Sequence, residues 1–153
     1  MRSQNKLLLD QLDRKLKPFA EIKDIETPER GWIHTIRTTL NMSLRQLGER
    51  LGITSQGVKD TEEREASGSI SLKSLREVAN ALEMKFIYGF APKASSIDEL
   101  VDIKAEELAR RIVLRTSHTM KLEDQGISEE GICQAVEELA YEIKREMRKS
   151  LWD

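Results

Sequence analysis

One cysteine, two histidines and three prolines are all that this chain of 153 residues holds of those types. The lone cysteine, Cys133, excludes an intramolecular disulfide and suits a reducing cytoplasm. With so few histidines and cysteines there is no metal-ligand spacing, and no phosphate-cradling glycine loop or nucleophile elbow appears. Aromatics make up 5% of the residues, which with the few prolines favours helix over a strand-rich fold. No apolar run approaches the length that spans a bilayer, and Met1 to Lys6 lack the apolar core of a signal peptide. These absences point to a cytoplasmic, mainly α protein with no cofactor, no metal and no enzymatic site. Ser117, His118 and Asp124 superficially suggest acyl transfer, but such a cluster more often marks a helix end with local hydrogen bonds.

What is present is charge, 34% of the residues, with a net value of −2. Its distribution divides the chain. Residues 1–30 carry seven basic and six acidic groups, and residues 31–93 carry nine and seven. Residues 94–153 carry nine and fourteen, so the acidic excess is confined to the last third. That third is a poor surface for a polyanion; it is either a protein-contact surface or simply a solvated helical face.

The most informative stretch is Ser43–Glu62. Ser43 can cap a first helix whose apolar face is Leu44, Leu47 and Leu51. Gly52 stands where that helix must stop, a position that favours a left-handed residue. Ile53 is of buried type, and Thr54 can cap a second helix with Val58 inward and Ser55, Gln56, Lys59 and Asp60 outward. Two short helices joined by a tight turn form the helix-turn-helix pattern, in which the second helix enters the DNA major groove. Base edges are reached by short polar side chains at the start of that helix. Ser55 and Gln56 fit this need, since glutamine pairs with adenine through two hydrogen bonds and serine bonds any base. Lys59 is expected at a phosphate, whereas Asp60 accepts from a cytosine amino group or is a plain solvent-facing acid. Gly57 costs a helix roughly 1 kcal/mol relative to alanine; it either permits close approach to DNA or serves no function. Ser43, Arg45, Thr54 and Lys73, at or near helix starts, are candidate phosphate contacts, which position a protein without specifying sequence. Arg37 and Glu62 are expected to meet as a partly buried structural ion pair.

Elsewhere, Leu8, Leu9, Leu12, Leu16 and Phe19 predict an amphipathic helix that Pro18 ends or kinks near Lys17. Trp32, Ile33, Ile36 and Leu40 predict another. Ser71 caps a helix bearing Leu72, Leu75, Val78, Ala79 and Leu82 on one face, which makes four helices between Gly31 and Leu82. Residues 85–92 are aromatic and β-branched and read as a short strand. A lone strand needs a partner for its backbone groups, so Phe86, Ile87, Tyr88 and Phe90 are assigned to pairing across a homodimer, with a buried irregular tail as the alternative. Ser96 and Glu99 form a capping box for a helix reaching about Met120, and Ser128 opens the last one. Three regions result: an N-terminal helical arm (1–30), a DNA-binding domain ending in the strand (31–93), and an acidic helical region for dimer or partner contact (94–153).

Residues 31–82 resemble the phage-repressor type of helix-turn-helix domain, on Leu40, Leu47, Gly52, Gln56, Val58, Glu62 and the Leu75–Leu82 helix. Two positions depart from it: Gly48 replaces the usual alanine and Leu44 the usual glutamine. A narrower likeness runs through Leu12-Asp13-Arg14-Lys15-Leu16, Arg30-Gly31-Trp32-Ile33, Met42–Leu47, Ser117-His118-Thr119-Met120, Leu122–Gln125 and Leu151-Trp152. On these the chain resembles the bacterial mobile mystery protein A family, typically encoded beside a Fic-domain protein. The resemblance implies a sequence-specific transcription regulator that represses its own operon, with an antitoxin-like role toward a Fic-domain partner. Gly57 and the acidic run Asp60–Glu63 depart from the usual recognition helix, so the likeness does not extend to an operator. A Fic-inhibitory motif (Ser or Thr, three residues, Glu, then Gly or Asn) is not matched: Glu130-Gly131 would need Ser or Thr where Gly126 stands. The rival reading is a protein-binding module that scaffolds or inhibits a partner without specific DNA binding.

Overall fold

Apolar residues at three- and four-residue steps become α-helices in the computed structural model, which describes residues 2–122 and 128–153. The helices are α1 (Arg2–Glu21), α2 (Trp32–Thr39), α3 (Leu44–Leu51), α4 (Ser55–Ser67), α5 (Leu72–Ala81), α6 (Ile97–Leu122) and α7 (Glu129–Glu146). A short 3-10 helix, Lys149–Trp152, closes the chain. The protein is therefore mainly α. It divides into two compact units, one of Asp24–Tyr88 and one of Met1–Lys23 with Gly89–Asp153.

In the Asp24–Tyr88 unit, α2 to α5 are each too short to be stable alone, so they hold together by sharing a core. Leu47 and Val58 are completely buried at its centre, with Ile33, Val78 and Leu82 around them. Burying a side chain of this size contributes about 1.5–3 kcal/mol. Caps set the helix boundaries. Ser43 Oγ accepts from Gln46 N while Gln46 Oε1 accepts from Ser43 N, a complete capping box. Thr54 and Ser71 cap α4 and α5 more simply, their hydroxyl oxygens accepting from Gly57 N and Ser74 N. Several apolar residues expected inside lie outside: Trp32, Leu40, Ile53 and Leu72 are exposed. The helices are only two or three turns long, so each has room for few inward positions. Leu40 lies past the end of α2, and Ile53 sits in the turn.

In the second unit, α6 and α7 run antiparallel. Val101, Ala105, Ala109, Val113 and Ser117 recur every fourth residue as the buried seam of α6. Val136 and Ile143 of α7 and Leu151 of the closing turn pack against that seam. Lys144, late in α7, reaches back to Asp98 (3.0 Å) and Asp102 (2.6 Å) at the start of α6. The N-terminal arm and the acidic region, read from the sequence as separate segments, share this unit. Asp13 of α1 accepts from the backbone N–H groups of Ile97 (2.7 Å) and Asp98 (3.1 Å) and so caps α6. The capping box there is only half made. Ser96 Oγ accepts from Glu99 N, but the Glu99 carboxylate turns to the N–H and hydroxyl of Ser95.

Two expectations are corrected. First, α1 does not end near Lys17 but continues through Pro18 to Glu21. Pro18 falls in the last turn, where its missing donor costs the helix a single bond, and the half-buried Phe19 and Ala20 hold the turn in place. Second, residues 85–91 form no strand, and none occurs among the described residues. In this stretch the chain passes from one unit to the other, between Tyr88 and Gly89. Phe86 and Tyr88 stack on each other with ring centroids 5.9 Å apart, and the Arg76 guanidinium of α5 covers the Tyr88 ring. Gly89 lies beneath the ring of Phe19, closer than any side chain would allow. Phe86 and Tyr88 therefore pack locally, and among the described residues no second segment offers a ladder.

Candidate nucleic-acid interface

The turn between α3 and α4 is closed by Gly48. A methyl group built there would stand 2.6 Å from the Ile53 carbonyl oxygen, which is backbone and cannot swing away. The Ile53 N–H donates to the Gly48 carbonyl at 2.9 Å across the same gap. Glycine in place of the alanine usual in the resembling domains thus brings the two helices closer than a side chain permits. Gly57 has a similarly local reason. Its absent side chain would crowd Thr54 Oγ1 and Ile53 at 3.3–3.4 Å, so the space is occupied by its own turn rather than left open for a duplex.

Helix α4 has two opposed faces. At 100° per residue, Val58, Thr61, Glu62 and Glu65 share one side, Gln56, Lys59, Asp60 and Glu63 share the other, and Ser55 stands at the border in the first turn. Val58, Thr61 and Glu62 are buried, and Ser55 and the four residues of the outer face are exposed. The inner face is fixed to α2 by its acids. Arg37 Nε donates to Glu62 Oε1 and Arg37 Nη2 donates to Oε2 at 3.2 Å, with the pair almost fully buried. A third arm of the same guanidinium donates to the Met42 carbonyl at 2.9 Å. His34 Nδ1 lies 3.1 Å from Glu62 Oε2; a carboxylate only accepts, so that nitrogen carries the hydrogen. Burial alone would raise the Glu62 carboxyl. The hydrogen bonds from Arg37 and His34, with their charges, outweigh it and hold Glu62 below its ordinary range.

One turn later, Glu65 Oε1 accepts from the Ile33 N–H at 2.8 Å and caps α2 from outside. Gly31 makes room for it. With φ at +85°, a side chain there would be strained and would also collide with the Glu65 carboxylate. Two glutamates three residues apart on α4 therefore serve α2, one at a guanidinium and one at a helix start. His34, Glu65, Gln46 and Asp13 were not singled out from the sequence. The Ser43–Gln46 spacing is itself a capping-box signature that could have found Gln46, and the Glu62–Glu65 spacing beside an uncapped Gly31 could have found Glu65.

The phosphate candidates are arranged around this face with differing freedom. Ser43 and Thr54 accept backbone N–H bonds through their oxygens and keep a hydroxyl hydrogen to donate. Arg45 is engaged with Glu49 at 2.6 Å across an exposed helical step, a contact of the kind that water and salt readily exchange. Lys59 and Lys73 are exposed. Gln56 is not idle: its Nε2 donates to Asp60 Oδ1 at 2.9 Å. The strand candidates lie elsewhere, in the stretch where the chain passes between units, with Ile87, Tyr88 and Phe90 exposed and Phe86 half-buried.

Of the acyl-transfer grouping, Ser117 is buried in the α6 seam, His118 is exposed, and Asp124 lies outside the described residues. Gly126 and the Glu123–Gln125 part of the family likeness lie outside them too. No group of acidic, histidine or cysteine side chains suited to a metal occurs among the described residues, and none of their helices is long and apolar enough to cross a membrane. No family model matches the chain, and neither a curated protein nor a solved structure matches it.

Proposed function

We propose that this chain is a sequence-specific regulator of transcription that binds double-stranded DNA by laying α4 in the major groove. One observation carries the reading: the exposed stripe of Ser55, Gln56, Lys59 and Asp60 opens a helix whose opposite face is tied down through the buried Arg37–Glu62 pair. Short polar side chains at the start of a rigid, accessible helix are what base-edge reading requires. Ser43, Arg45, Thr54 and Lys73 supply donors that suit phosphate oxygens, and these set register rather than sequence.

The regulator acts as a homodimer on a near-palindromic site, with two α4 helices about 34 Å apart. Exposed Ile87, Tyr88 and Phe90 offer apolar surface for contact with a second copy across a two-fold axis. Its target is the operator of its own operon, where it represses, and it acts as the antitoxin-like partner of a Fic-domain protein. A duplex covering the upstream region should be shifted by the full chain, with affinity falling steeply as salt rises. Replacing Gln56 by alanine should cost about 1–3 kcal/mol and relax one base position.

A second reading, a protein-binding module, is favoured by the acids Asp60 and Glu63 on the outer face of α4 and by exposed Leu7, Leu8 and Leu12 on α1. Failure to form any specific duplex complex at low salt would select it.

A further inference from the structure

We propose that Gln56 and Asp60 act as one reader that demands exocyclic amino groups in the major groove, taking adenine at Gln56 and adenine or cytosine at the adjoining pair under Asp60. This inference rests on the DNA-binding reading given above and assigns the chemistry of the bases read.

The argument begins with the hydrogen bond between the two side chains. An ionised carboxylate has no hydrogen to give, so the Gln56 amide must turn its nitrogen toward Asp60, as it does at 2.9 Å. That fixes which end of the amide is left outward. Gln56 keeps its carbonyl oxygen as an acceptor and one N–H as a donor. Asp60 keeps its second carboxylate oxygen as an acceptor. The Asp60 carboxylate meets this amide rather than a cation; Arg64 donates to the Asp60 backbone carbonyl at 3.4 Å and to Thr61 Oγ1 at 3.3 Å. Its negative charge therefore stays on the outer face of α4.

A carboxylate brought against a polyanion is repelled unless it meets donors. In the major groove only adenine N6 and cytosine N4 present them; guanine offers N7 and O6, and thymine offers O4, all acceptors. Adenine satisfies the Gln56 amide completely, giving N6–H to its oxygen and taking its free N–H at N7. Guanine would set O6 against the Gln56 oxygen, and the amide cannot flip to suit it without breaking the bond to Asp60. The carboxylate thus acts twice, by orienting Gln56 and by excluding acceptor-only edges next to it.

The test is selection from randomised duplexes with the full chain, the native protein beside Asp60→Asn and Gln56→Ala. The position lost in Gln56→Ala identifies the pair under Gln56. At that position the native protein should enrich adenine, and exchange for guanine should weaken binding roughly 5- to 150-fold. Asp60→Asn offers an amide that both donates and accepts, so guanine and thymine should rise at both positions. Non-specific affinity should also increase, because a negative charge is removed. Both side chains are exposed, so circular dichroism of the variants should match the native protein. An Asp60→Asn protein that enriches the same sequence with the same discrimination overturns the inference and leaves the DNA-binding reading standing, as does native enrichment of guanine at the Gln56 position. A native protein that enriches nothing overturns both.

Discussion

Glu62 shows how much a single side chain carries here. It is buried, ionised and shared between Arg37 and His34, so its removal strands a guanidinium in the interior. Glu62→Gln should lower unfolding stability by about 3–5 kcal/mol, read from urea denaturation. Replacing Arg37 and Glu62 together by methionine and leucine should cost much less, because no lone charge is left behind. Equal losses in the single and double variants would show that the pair itself, rather than the uncompensated charge, sets the penalty. Gly48 is the other residue with no slack. Gly48→Ala should destabilise by about 1–3 kcal/mol in the same measurement, since the new methyl meets backbone at the Ile53 carbonyl. A neutral result would mean that the α3–α4 turn opens at little cost.

Among the elements, α6 depends on a distant partner. Asp13→Ala removes the carboxylate that receives the Ile97 and Asp98 N–H groups. It should cost about 0.5–2 kcal/mol and speed hydrogen exchange at those two amides above the rest of α6. Unchanged protection there would reassign the capping to Ser96. This contact also marks the limit of what the sequence discloses. Helices α2 to α5 were legible because caps and apolar spacing are local signals: Ser43, Thr54 and Ser71 each sit one residue before a helix, with Leu47, Val58 and Val78 inside. The outer face of α4 followed from the same periodicity. Asp13 was not legible, since its partners lie more than eighty positions away. The strand reading failed for a related reason. Phe86, Ile87 and Tyr88 have strand-forming side chains, but a ladder depends on a neighbour, and local composition does not reveal whether one exists. His34 and Glu65 were missed because a charged residue on a short helix looks the same facing solvent or facing inward.

At the scale of the whole molecule, the two units should fail at opposite ends of the pH range. Glu62 titrates below the ordinary carboxyl value of 4.5, so its contribution is complete above that value and is lost as pH falls through the depressed one. Lys144 behaves in the reverse sense. Burial would lower it, but its bonds to Asp102 and Asp98 prevail and raise it above 10.5, so its contribution is complete below that value and is lost as pH climbs through the raised one. Glu99, held low by the Ser95 hydroxyl and N–H, adds an acid response confined to the first turn of α6. Trp32 belongs to the Asp24–Tyr88 unit and Trp152 to the other. In Trp152→Phe, fluorescence melts should lose stability as pH falls below 4.5; in Trp32→Phe, they should lose it as pH rises above 10.5. Identical profiles from the two reporters would mean that the units unfold as one. The chain order has a further consequence. Because α1 is built into the unit that begins again at Gly89, residues 24–88 are a cassette spliced into an otherwise continuous frame. A protease that cuts one of the two junctions leaves the cassette leashed by the other, and only a double cut sets it loose.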